Sequence, residues 1–179
     1  YSKNTGQIYV TEVPVKDGLP VAAGDYRVPG VPGAGAKLNI DMVGTVGSAG
    51  KGLLPTGNPI DTFDIPGFGK LEGSLVDTVN PCLFVRASDL GLTGKEVKKT
   101  DFAPGKLELL ETIRREAAFK ALGKPYAERD AVPFVAFVAG PADYTSHLTG
   151  ETIHAAGVDF LSRVFFLGGI HQTYHGSIS

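Results

Sequence analysis

At 179 residues, with 42% apolar and 20% charged side chains, the chain suits one globular domain large enough to bury a core. Its formal charge of −2 argues against nucleic acid as a main partner, and no apolar stretch approaches the length of a membrane span. The single cysteine, Cys82, excludes an intrachain disulfide and fits a reducing compartment, so a cytoplasmic location is expected.

Glycine (24) and proline (12) punctuate short apolar runs, a pattern of many strands and tight turns. Gln7 to Val13 alternates, which predicts a strand with Ile8 and Val10 on one face and Val13 as a further candidate. Lys16-Asp17-Gly18 is a turn signal. Asp25 to Val28 reads as a short edge strand ending at Pro29-Gly30, with a Pro/Gly loop from Val31 to Ala36. That glycine run follows no strand–helix unit and contains Pro32, so a nucleotide loop is rejected. Leu38 to Val43 alternates again, placing Leu38, Ile40 and Met42 toward a core. Thr45 to Gly52 is a Gly/Ser loop, Thr62 to Leu71 a strand or hairpin entry, and Leu71 to Asp77 leads to an Asn80-Pro81 corner. A buried strand through Arg86 and an acidic, glycine-punctuated loop follow. The spacing of Leu107, Leu110, Ile113, Ala117 and Ala121 predicts a helix opened by Pro104-Gly105 and stopped by Gly123-Lys124-Pro125. Its small residues Ala117, Ala118 and Ala121 predict a close neighbour. Val132 to Ala139 is apolar almost throughout, as in a strand buried on both faces. Glu151-Thr152-Ile153 fits a short strand after a Thr149-Gly150 turn, and Val158 to Phe166 alternates cleanly. The sum is an α+β fold: a strongly curved, barrel-like, mostly antiparallel sheet wrapped around a central helix.

Several residues invite a chemical role. An Asn at a corner can aim its amide and nearby N–H groups at an anion while proline fixes the approach, which marks Asn80. The Ser48-Ala49-Gly50-Lys51 loop can form a nest of N–H groups around an anion, which marks Ser48 and Gly50, with a plain solvent loop as the alternative. Thr56-Gly57-Asn58 reads as a turn supporting the fold. Cys82 opens an apolar strand and reads as a small buried hydrophobe rather than a thiol acid–base. His147 and His154 lie on loop-like sequence, and Tyr174 and Gly176 set His171 and His175 on a turn rather than a helix, so no metal is expected. Arg163 can pair with a carboxylate, although a tie to Asp159 or a strand end is the favoured reading. Gly176 and Ser177 can present N–H groups at the start of a helix lying beyond Ser179.

Three stretches carry a family resemblance: Ser48 to Asp61, Asn80 to Gly94, and Val158 to Arg163 followed by Gly168-Gly169-Ile170-His171. They resemble the second lobe of the 2-methylaconitate isomerase (PrpF-like) family, whose fold is that of diaminopimelate epimerase. The likeness in character runs over essentially the whole chain. It implies a single domain, 1–179, that is one of two pseudo-symmetric lobes with the active site in the cleft between them. It also implies cofactor-free proton chemistry on small unsaturated di- and tricarboxylic acids. The family's proton-transfer residues, a Lys and a Cys, lie on a first lobe that no part of this chain resembles. No catalytic residue is therefore expected here. Asn80 matches an Asn-Pro that reaches the substrate carboxylate in diaminopimelate epimerase, and His171 matches a position near the cleft. His175-Gly176-Ser177 stands where the family has a Thr-Gly-type turn into a terminal helix absent from this chain. The implied partners are a small carboxylic acid and the missing lobe, with self-association expected through an exposed apolar cleft face. Epimerase, racemase or tautomerase chemistry on the same fold, and a non-catalytic small-acid binding domain, are the alternatives.

Overall fold

The computed structural model describes residues 1–3, 6–28, 31–123 and 131–171. Pro29-Gly30, Lys124-Pro125, His175, Gly176 and Ser177 lie outside the described residues. In chain order the elements are β1 (Val10–Glu12), β2 (Val15–Lys16), β3 (Leu19–Pro20), β4 (Asn39–Asp41), β5 (Asp61–Ile65), β6 (Gly69–Asp77), β7 (Pro81–Arg86), α1 (Lys106–Leu122), β8 (Phe134–Ala139), β9 (Tyr144–Thr145), β10 (Thr152–Ile153), β11 (Leu161–Phe166) and β12 (Gly169–Ile170). No described helix is long and apolar enough to cross a membrane.

The main sheet has six strands in the order β12-β11-β8-β7-β6-β5. Its neighbours are antiparallel except β7 and β8, which run parallel and are joined through α1. Parallel neighbours need such a crossover because a tight turn cannot reverse the chain twice. The α+β expectation therefore holds, with one α-helix on a mixed sheet among the described residues. A closed barrel is not found among the described residues: closure needs β5 and β12 to pair, and they stand at opposite edges.

Period-two alternation decides what each face buries. Leu71 and Leu75 of β6, Leu83 and Val85 of β7, Val135 and Phe137 of β8 and Phe165 of β11 meet Leu110, Ile113, Ala117 and Ala121 of α1. Ala117, Ala118 and Ala121 are fully buried, so the small residues do bring the helix close to its neighbour. Gly105 and Gly123 bracket α1 in left-handed conformations, φ 83° and 66°, and the Gly123 N–H closes the last turn on the Phe119 carbonyl. The opposite face carries Cys82, Phe134, Ala136 and Val164, with Phe84 and Phe166 partly covered.

The N-terminal third departs from expectation. β1 pairs only with β4, and Ile8, Val10 and Ile40 are 63%, 54% and 52% exposed rather than core. Leu38 is likewise exposed, and Met42 is intermediate. A two-stranded ribbon with no described layer against it has nothing to bury its apolar residues on. The Asp17-Gly18 turn does form, with φ 53° and 77°, and joins β2 to β3. Tyr26 makes a single bridge to Gly35 in place of the expected edge strand.

Thr56-Gly57-Asn58 acts as the expected supporting turn. Buried Asp61 accepts hydrogen bonds from Thr56 Oγ1 (2.6 Å) and Asn58 Nδ2 (3.1 Å). Lys120 Nζ of α1 lies 2.8 Å from Asp61 Oδ1 and 4.7 Å above the Phe63 ring, which ties the end of the helix to β5. Burial alone would raise the Asp61 pKa, but Lys120, Thr56 and Asn58 together hold it below its ordinary 3.8. Stability from this group is therefore complete above that value and lost as pH falls through the lower folded value. Lys120→Met is expected to cost about 1–2 kcal/mol at neutral pH, with the gap from the parent narrowing in acid. Parallel stability-against-pH curves for the two proteins would remove Lys120 from this account.

Candidate functional site

The Asn80 corner is built by β6 and β7. Their register pairs Val76 with Cys82 and Asp77 with Pro81, which leaves 78–80 as the connection. Asp77 is fully buried and falls on the same face as Leu71 and Leu75, where a charge needs partners. It has them: Oδ1 accepts from Ser48 Oγ (2.6 Å) and Oδ2 from the Ala49 N–H (2.6 Å). The Gly47 N–H donates to the Asp77 carbonyl (2.9 Å), and the Asp77 N–H donates to the Leu53 carbonyl (2.8 Å). The loop over 47–53 is thus latched beside the end of β6, immediately before half-buried Asn80.

The structure brings Ser48 and Gly50 to the Asn80 corner through Asp77. In place of a nest of N–H groups around a ligand, the Ala49 N–H and the Ser48 hydroxyl meet the chain's own Asp77 carboxylate. The Ser48 hydroxyl is engaged by Asp77, and the Gly50 N–H donates to the Gly47 carbonyl (2.8 Å). Sequence reasoning missed Asp77. The available signal was an acidic residue at a core-facing position of an alternating strand.

His171 follows β12, and its N–H donates to the Val164 carbonyl (2.8 Å). Its ring meets Phe166 edge to face at 6.0 Å, and Phe166 meets Phe134 at 5.3 Å. His171 therefore belongs to the face opposite α1, and Asn80 stands in the connection just before β7. β7 and β12 are three strand spacings apart, about 14 Å. The two candidates are set apart across the sheet rather than touching. Cys82 is buried on this same face, and burial pushes its thiol pKa far up despite a backbone hydrogen bond involving Ala136. A thiol so placed stays protonated, consistent with a packing role.

Arg163 does not tie down Asp159. Its Nη1 donates to the Ser162 carbonyl (3.1 Å), and the guanidinium lies 5.3 Å over the Tyr144 ring. β11 turns Asp159 out of its strand, which begins only at Leu161, so the two are not held in register. His154 meets Asp143 at 3.4 Å on the surface. Among the described residues no three His, Cys, Asp or Glu side chains converge as metal ligands. A groove of about 850 Å³ runs between α1 and the β11–β12 turn, past Glu111, Arg114 and Phe165. Its buried Arg114 is held from Nε and Nη2 by the Glu111 carboxylate at 2.8 and 2.7 Å.

The family model described as PrpF protein matches residues 1–178. The 3-methylitaconate isomerase of Eubacterium barkeri is 38% identical, over 99% of this chain and 48% of its own length. The 2-methyl-aconitate isomerase of Shewanella oneidensis is 33% identical, over 99% of this chain and 46% of its own. A crystal structure of methylitaconate-delta-isomerase superposes with a TM-score of 0.85 at 36% identity, covering 98% of this chain and 47% of that one. The chain thus spans about half the length of the curated relatives it matches. Matched over residues 1–178 by the family model and over nearly its whole length by these relatives, this chain belongs to the PrpF family.

Proposed function

We propose that residues 1–179 are the acid-holding lobe of an isomerase for small unsaturated di- and tricarboxylic acids of the methylitaconate and 2-methylaconitate kind. The observation that carries this reading is the end-to-end match to two isomerases named for such acids, over about half of each. In this reading the sheet curves around α1 as one half of a clamp. Asn80 and the Ser48–Gly50 loop face the substrate carboxylates from one side, and His171, Gly176 and Ser177 from another. Ser48 would act through its main chain, since its hydroxyl serves Asp77.

The proton steps fall to the other lobe, without a cofactor. Cys82 is too buried to exchange protons with a ligand, which supports that division. This lobe would stabilise the enolate-like charge that develops when a proton leaves the carbon beside a carboxylate. The protein would work in the cytoplasm. The test follows methylitaconate and 2-methylaconitate by NMR, with this chain alone and with the full-length enzyme. The chain alone is expected to bind the acids without turning them over. Asn80→Ala in the full-length enzyme is expected to lower kcat/KM by about 10–100-fold. Full turnover by the chain alone would overturn the division of labour. Solvent-deuterium exchange without double-bond migration would favour epimerase or racemase chemistry, and binding without any reaction in the full-length enzyme a binding domain.

A further inference from the structure

Register sets Arg163 of β11 opposite Phe137 of β8, which in turn pairs with Val85 of β7. That row lies on the α1 face, near the carboxyl ends of the two parallel strands. Open sheets bind ligands outside such strand ends. Val85 is five residues beyond Asn80, about 16 Å along the strand. This corner is therefore separate from the Asn80 corner, toward the opposite end of β7.

The corner is built around an incompletely satisfied cation. Arg163 is half-buried, its Nε is buried with no acceptor, and its hydrogen bond goes to the carbonyl of the preceding residue. Tyr144 covers one face of the guanidinium. The nearby carboxylate, Glu96, is engaged elsewhere: it accepts from the Thr93 N–H and Oγ1 (both 2.8 Å) and from the Gly94 N–H (2.9 Å). Gly94 holds this loop against the sheet, with φ 82° and room for no Cβ, which would sit 2.9 Å from Ala139 Cβ. Glu96 therefore cannot swing to Arg163 without dismantling its own turn. Burial lowers the guanidinium's pKa, and Tyr144 and Glu96 only partly offset that, so the cation lacks full compensation where it sits. A cation taken partly out of water is costly without an anionic partner, and a guanidinium stacked on a ring keeps its planar edge for a two-pronged acceptor.

We infer that Arg163, stacked on Tyr144 at the carboxyl ends of β7 and β8, forms a second binding site for a small carboxylate. The Nη groups contact the ligand, and the Glu96 turn and Tyr144 fix the plane of the fork. This site goes beyond the proposed substrate corner and does not depend on it.

The test is a titration of this protein with succinate, followed through arginine Nε–Hε and asparagine side-chain NMR signals. Succinate is expected to shift the Arg163 Nε–Hε signal saturably. Asn80→Ala should leave that titration unchanged. Arg163→Lys, which keeps the charge but not the fork, should weaken it at least about tenfold as read by calorimetry, and Arg163→Met should abolish it. An Arg163 signal that stays put while the Asn80 amide moves would overturn the second site and leave the proposed function standing. Equal affinity in Arg163→Lys would overturn the fork. The signal of the unmutated protein decides the question even if Arg163→Met fails to fold.

Discussion

Phe137→Ala is expected to destabilise the protein by about 3–5 kcal/mol, at the upper end of what truncating one side chain can do. Phe137 lies in the middle of β8, fully buried, with Phe102 edge to face at 6.3 Å. It packs where the sheet meets α1 and where the parallel and antiparallel halves of the sheet join. Both flanking strands are held by backbone pairing, so the structure can close only part of the cavity the ring would leave. Against a net stability of about 5–15 kcal/mol for a domain, that loss brings the protein close to unfolding. Chemical denaturation gives the value directly. A cost under about 1.5 kcal/mol would mean that α1 is not seated on the sheet as described.

Asp77→Ala is expected to cost about 2–4 kcal/mol and to release the loop over 47–53. The substitution leaves the Ser48 hydroxyl and the Ala49 N–H without their acceptor in a partly buried place, at about 1–3 kcal/mol for each such group. Ser48→Ala should cost less, about 1 kcal/mol, because the carboxylate keeps the Ala49 N–H. Asp77→Asn keeps the volume but turns an N–H donor toward one of two donors, so it should resemble alanine more than aspartate. Amide exchange at Ala49 is the specific readout and should accelerate with the loss of stability at this site. Unchanged exchange at Ala49 in Asp77→Ala would show that the loop is held by other contacts. If the Asn80 corner binds an acid, the same variant should weaken that binding, since the loop and Asn80 share this anchor.

Much of the sheet and its helix is legible in the sequence. The helix from Lys106 to Leu122 is readable because its apolar spacing, its alanines and its two flanking glycines all point the same way. The run ending at Ala139 is readable as a strand buried on both faces, because an apolar stretch of that length cannot expose either side. A hairpin of β5 and β6 stands where a strand or hairpin entry is expected, and the short strand at Thr152–Ile153 follows its Thr149-Gly150 turn. Val158 to Phe166 reads as one strand, yet β11 starts at Leu161 and Phe160 is 49% exposed. Alternation sets which residues share a face but not where a partner strand stops.

The candidate site is legible in a different measure. The Asn80 corner, the inert Cys82 and the Ser48–Gly50 loop can each be picked out from local chemistry. Their relation to one another cannot. The chain's own pattern of apolar spacing, glycine stops and the Asn-Pro corner determined the helix and most of the strands, because those signals act within a few residues. Only the tertiary structure decided that Asp77 engages Ser48 and Ala49, that Arg163 and Asp159 stay apart, and that Ile8 and Ile40 face outward. Those outcomes depend on what lies opposite each side chain, and opposition in a sheet is fixed by pairing between residues far apart along the chain.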